Sequence, residues 1–97
     1  MKIRVKLYGV FRTAAQSASI QLEVHSPTPI VRTAIDSLAS HADYQALVQL
    51  LLGDESRDPR PNALILVSGR EISTMRGLDT PIVESDELSL LPIAHGG

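Results

Sequence analysis

The feature that most constrains this chain is a strict two-residue alternation at its start. Ile3, Val5 and Leu7 alternate with Lys2, Arg4, Lys6 and Tyr8. Successive side chains of an extended strand point to opposite faces, so this run is a strand with one buried and one wet face. Each aliphatic side chain removed from water contributes roughly 1.5–3 kcal/mol, so the inward set decides the orientation. Gly9 ends or bends the strand. Residues 19–25 repeat the pattern, with Ile20, Leu22 and Val24 on one face. Arg12 to Ala18 between them is small and polar and suits a loop, so the two runs read as an antiparallel hairpin.

The period then changes. Ser26-Pro27-Thr28-Pro29 is a break in which Thr28 suits a helix cap and Pro29 the first turn. Ile30, Ala34, Ile35 and Leu38 recur at helical spacing, which predicts a helix from about Pro29 to Ser40. Tyr44, Leu47, Val48 and Leu51 predict a second, shorter helix over 44–52 that stops at Gly53. Asp54 to Asn62 is polar with two prolines and reads as a surface loop. Ala63-Leu64-Ile65-Leu66-Val67 is nearly all apolar, as expected of a central strand buried on both sides or covered by a partner. Ser68-Gly69-Arg70-Glu71 is a turn and Ile72 begins a short return strand. Glu87 to Leu91 is the last strand, with Leu88 and Leu90 on one face and Pro92 as its end.

This order places one main helix across one face of a mixed sheet, with a short second helix. The helix supplies the crossover that lets the first and last strands lie side by side and parallel. The fold class expected is therefore α+β, the ubiquitin-like β-grasp. The 97 residues are enough for one domain and not two. That domain is 1–97, with a mobile C-terminal tail at 92–97.

Composition excludes several functions. A formal net charge of −2 from 9 basic and 11 acidic residues argues against a dedicated nucleic-acid binder. No stretch approaches the roughly 18 apolar residues of a membrane span, and the start does not resemble a signal peptide. A cytoplasmic location is the expectation. The chain has no cysteine, so any thiol chemistry is supplied by another protein. His25, His41 and His95 are far apart in sequence and read as solvated surface residues, and no metal site is expected. There is no phosphate-binding glycine loop and no nucleophile elbow. A self-contained enzyme does not emerge from these residues.

The tail carries chemistry instead. Gly96 and Gly97 present two residues without a Cβ, able to thread a narrow channel. From Leu91 to Gly97 an extended chain reaches roughly 20 Å. The terminal carboxylate can thus enter the active site of another protein. Activated there as an acyl-adenylate, it accepts sulfur to become a thiocarboxylate, or an amine to become an amide.

These pieces together resemble the MoaD/ThiS family of ubiquitin-like sulfur carriers, over nearly the whole chain. The resemblance lies in Leu66-Val67-Ser68-Gly69-Arg70-Glu71-Ile72, where the family favours a valine-asparagine-glycine turn. It continues through Leu78-Asp79-Thr80-Pro81-Ile82 and Ser85-Asp86-Glu87-Leu88. It ends in Leu91-Pro92-Ile93-Ala94-His95-Gly96-Gly97, similar to the family's Phe-Pro-Pro-Val-x-Gly-Gly ending. Leu7-Tyr8-Gly9-Val10-Phe11-Arg12 looks like the family's first strand and following arginine. The added helix and loop at about Tyr44 to Asn62 fit the small subunit of molybdopterin synthase and archaeal ubiquitin-like relatives better than the shorter thiamine carriers. Leu91 and Ile93 stand where the family has phenylalanine and a second proline, Ser68 where it has asparagine, and His95 where a small residue is usual.

The resemblance implies that Gly97 is adenylated and thiocarboxylated and that Gly96 keeps the tail slim. It implies no permanently bound cofactor, with ATP used by the activating partner. The partners implied are the molybdopterin synthase large subunit, an adenylating enzyme of the ubiquitin-activating type and a sulfur donor. Neither nucleic acid nor membrane is a partner. Tyr8, Arg12, Leu91, Pro92, Ile93 and His95 are the expected partner-binding residues. Two other uses of the same tail stay open: conjugation to target lysines as a ubiquitin-like modifier, and an idle tail on a non-covalent β-grasp interaction module.

Overall fold

The computed structural model describes residues 1–93. Its elements are β1 (Lys2–Leu7), α1 (Gly9–Ala15), β2 (Ser19–Glu23), α2 (Val31–Ala39), α3 (Gln45–Leu52), β3 (Ala63–Val67), β4 (Arg70–Glu71) and β5 (Glu87–Pro92). The strands form one mixed sheet in the order β2-β1-β5-β3-β4. This is the expected ubiquitin-like β-grasp. β1 and β5 are parallel neighbours at the centre, with Val5 beside Leu88 and Leu7 beside Leu90. β1 and β2 are antiparallel, with Ile3 opposite Leu22 and Val5 opposite Ile20.

The alternation read from β1 is the alternation observed. Ile3, Val5, Leu7, Ile20, Leu22, Ile65, Val67, Leu88 and Leu90 are all buried on one face of the sheet. α2 covers that face with Val31, Ala34, Ile35 and Leu38, a stripe at positions i, i+3, i+4 and i+7. α3 adds Leu47, Leu51 and Leu52. Gly53 stops α3 at a φ of 76°, its N–H donating to the Gln49 carbonyl at 2.9 Å.

Five local expectations are corrected. The segment after Gly9 is a helix, α1, where a loop was expected from Arg12 to Ala18. A seven-residue helix is not stable alone. It forms because Phe11, 1% exposed, is sunk into the core. α2 begins at Val31 rather than Pro29, and Thr28 does not cap it. Ile30 is held extended against the segment 80–82: Val31 N–H donates to Thr80 O at 3.0 Å and Ile82 N–H to Pro29 O at 3.1 Å. The cap comes from Thr33, whose hydroxyl accepts from Ile30 N–H at 2.8 Å and donates to Ile30 O at 2.6 Å.

Of the two readings of β3, burial on both sides is ruled out and a face left open to a partner remains: Leu64 is exposed and Leu66 half-buried on the face away from the helices. The return strand β4 is Arg70–Glu71, and Ile72 instead starts a short 3₁₀ turn, Ile72–Thr74, with its side chain buried. Pro92 lies within β5 rather than starting a mobile tail, opposite Ala63. Ile93 N–H donates to Asn62 O at 3.0 Å, so the backbone is still tied at residue 93.

Candidate functional site: the outer sheet face and the exit of β5

The site grows from the sheet's two faces. Every inward residue of β1, β5 and β3 is committed to the core, so the odd residues of β5 and the even residues of β1 and β3 point away from the helices. On that outer face Leu64 lies opposite Leu91, and Leu66 opposite Ser89. Lys6 lies beside Ser89, and Arg4 beside Glu87. Tyr8 follows Leu7 and donates its backbone N–H to Leu90 O at 3.3 Å, which sets it next to Leu91. The face is thus divided. Lys2, Arg4 and Lys6 make its β1 side charged, with Lys6 Nζ 3.8 Å from Glu87 Oε1. Leu64, Leu66, Leu91 and Tyr8 make its β5–β3 end apolar. Tyr8, Leu64 and Ile93 are each about two-fifths exposed, at 40%, 39% and 41%.

The apolar end is where the chain leaves the sheet. Three contacts hold that point. Pro92 pairs with Ala63 in the ladder. Its ring lies over Gly9, where a side-chain carbon would come within 2.8 Å of Pro92 Cγ. Asn62 accepts from Ile93 N–H through its backbone and donates its side-chain amide to Leu51 O at 3.0 Å, capping α3. Asn62 therefore ties the last turn of α3 to the exit of β5. Its neighbour Pro61 marks only a turn in the sequence, which carries no signal for this cross-link.

Tyr8, Leu91 and Ile93, three of the partner-binding residues expected from sequence, are brought together here. Pro92 faces the opposite side, against Gly9. Arg12 is exposed on α1, one turn beyond Tyr8, and its guanidinium makes no hydrogen bond or ion pair among the described residues. His95, Gly96 and Gly97 lie outside the described residues.

Nothing else in the described residues competes as a reaction centre. His25 is exposed, and His41 is spent on a local turn: its Nδ1 accepts from Asp43 N–H at 3.3 Å, and its ring lies 4.6 Å from that of Tyr44. No group of three or more metal-ligating side chains occurs among the described residues, and no helix among them is long and apolar enough to cross a membrane. Among the described residues the displaced carboxyl is Asp58, held below its ordinary value by the side-chain hydrogen bond from Arg60, whose own value is raised in return. That pair braces the loop before β3.

A central parallel β1–β5 pair with a helix across one face is the ubiquitin-like β-grasp, and the solved structures that share this fold are ubiquitin-like small proteins of the ThiS/MoaD type. No protein-family model matches it. By sequence it is similar to small archaeal modifier protein 3 of Haloferax volcanii, 28% identical over 98 residues and covering 100% of both chains. The solution structure of small archaeal modifier protein 1 from Methanosarcina acetivorans matches with a TM-score of 0.77 at 28% identity, covering 99% of this chain and 96% of that one. A Pyrococcus furiosus protein assigned as molybdopterin converting factor subunit 1 shares the fold, with a TM-score of 0.72 at 20% identity over 97% of this chain and 99% of its own. Two of these proteins are named as small archaeal modifiers and the third as a subunit of a molybdopterin converting factor.

Proposed function

We propose that this chain is a sulfur carrier that works as the small subunit of molybdopterin synthase in molybdenum cofactor biosynthesis. The observation that carries the reading is the anchored exit of β5. The last strand is pinned at Pro92 and Ile93 beside an exposed apolar face, and four residues ending in Gly96-Gly97 follow. A rigid base with a slim end suits delivery of a carboxylate into a partner's active site.

The chemistry needs two steps in partner proteins. A carboxylate oxygen of Gly97 attacks the α-phosphorus of ATP, and pyrophosphate leaves. A sulfide-level donor then attacks the acyl carbon of the adenylate, AMP leaves with the bonding electron pair, and a thiocarboxylate remains. Adenylation is required because a free carboxylate is a poor electrophile. The large subunit takes up the charged tail, passes the sulfur to the pterin precursor and supplies the catalytic groups. Tyr8, Leu64 and Leu91 form the docking face, with Arg12 at its margin.

The test is intact mass after co-expression with an adenylating enzyme of the ubiquitin-activating type and a sulfide donor. Replacement of one carboxyl oxygen by sulfur on Gly97 is expected; an unmodified chain overturns the reading. A second reading, conjugation to lysines of target proteins, is favoured by the similarity to small archaeal modifier protein 3. The adenylate is the same, but the target's amine displaces AMP. Gly-Gly remnants on target lysines mark that outcome. An unchanged phenotype on deleting Gly96 and Gly97 would sink both.

A further inference from the structure

The exposed large apolar side chains are not scattered. Among the described residues they are Tyr8, Val10, Leu50, Leu64, Val83 and Ile93. All but Val83 surround the point where the chain leaves β5. Two grooves meet there, and Ile93 lines both. Along the edge of β3 left open by the short β4, a groove of about 180 Å³ includes Leu64, Ile65 and Ile72, flanked by Arg60 and Glu71. On the helix side a groove of about 160 Å³ is lined by Val10, Phe11, Leu50, Asn62, Pro92 and Ile93 and holds no charged residue. Val10 on α1 is 55% exposed and Leu50 on α3 is 45% exposed. Neither contributes to the core, and Leu50 points outward from a helix whose Leu47, Leu51 and Leu52 point in.

The length of chain beyond Ile93 says what covers this groove. Four residues span at most about 14 Å. An enzyme that reacts with Gly97 inside a water-excluding site must therefore bring its channel mouth flush against Ile93. Pro92, wedged on Gly9, and the Ile93–Asn62 hydrogen bond keep that base from swinging out to meet it. A mouth seated on Ile93 covers the helix-side groove as well as the sheet face.

Resting on the tail chemistry proposed above, we propose that the enzyme adenylating Gly97 clasps the exit of β5 from both sides. Its uncharged apolar lip seats in the groove between Val10 of α1 and Leu50 of α3. The docking surface thus extends past the sheet onto the helical side, and Val10 and Leu50 set which enzyme fits.

The measurement is ATP–pyrophosphate exchange by a ubiquitin-activating-type adenylating enzyme, with this chain as the varied substrate. Val10→Asp and Leu50→Lys are each expected to raise KM about tenfold or more, the factor that accompanies loss of one buried aliphatic contact, with kcat within about twofold. Val83→Asp, equally polar but remote from the exit, leaves KM unchanged. Urea unfolding of each variant shows that the fold is kept; should one variant unfold, the other decides. KM values for both variants within about twofold of the unaltered chain, or an equal rise in Val83→Asp, overturn the clasp. If deletion of Gly96 and Gly97 still abolishes exchange, the tail reading survives that result. An unaltered chain that supports no exchange overturns both.

Discussion

A side-chain carbon on Gly9 would lie 2.8 Å from Pro92 Cγ, inside any permissible contact. Gly9 also sits at a φ of 55°, in the left-handed region that penalises residues with a Cβ. The start of α1 and the end of β5 are therefore shaped to each other. Gly9→Ala combines the backbone cost with an overpacked contact, and a loss of about 2–4 kcal/mol is expected. Urea denaturation measures it; a change below about 0.5 kcal/mol would show that Pro92 shifts freely.

Phe11 is the one buried side chain of α1. Phe11→Ala should cost about 3–5 kcal/mol, the range for an aromatic removed from a packed core. Because so short a helix has little stability of its own, amide exchange over residues 9–15 should accelerate more than over α2. Equal protection of α1 in the variant would mean that some other contact holds it.

Leu64 is exposed on the outer face opposite Leu91. Leu64→Glu should leave unfolding free energy within about 0.5 kcal/mol and, on the function proposed above, weaken binding to a molybdopterin synthase large subunit by about 1–2 kcal/mol. Calorimetric titration reads the second figure. Unchanged affinity removes the sheet face from the interface.

Asp58 and Arg60 predict the acid limb of stability. The hydrogen bond from Arg60 holds the Asp58 carboxyl below its ordinary value of 3.8. A depressed folded value means that the contribution is present above the unfolded value and is lost as pH falls through the folded one. Asp58→Asn should therefore remove a small stabilisation, small because so exposed a pair is screened by water, at pH 6. The difference should narrow toward pH 2. An equal loss at both pH values would assign it to the loop backbone instead.

Much of the fold was legible because its signals are periodic. Ile3-Val5-Leu7 and Ile20-Leu22 announce their strands. The stripe ending in Ala34, Ile35 and Leu38 announces the main helix, although its first turn was read two residues early. The later start has a cause distant in sequence: hydrogen bonds with Thr80 and Ile82 hold Ile30 in extended pairing with Pro81, and no local pattern encodes that partner. Thr33 closing back on Ile30 was hidden for a related reason, since a hydroxyl at the third helical position usually suggests exposure rather than a cap. In the site, the outward positions of Tyr8 and Leu91 were legible from strand parity, whereas Ile93 was named only through the family resemblance of the tail. Val10, Leu50 and Asn62 were not, because each matters only through a neighbour on another element.

The sequence by itself determined the order and kind of the main elements and the Gly96-Gly97 ending, all properties carried by neighbouring residues. Only the tertiary structure decided that residues 9–15 are helical, that Leu64 and Leu66 face outward, and that Pro92 remains in the sheet. Those outcomes rest on Phe11 in the core, the pairing of β3 with β5, and the fit of Pro92 on Gly9. In each case the stabilising partner is remote in the chain, so the choice is made by packing rather than by local preference.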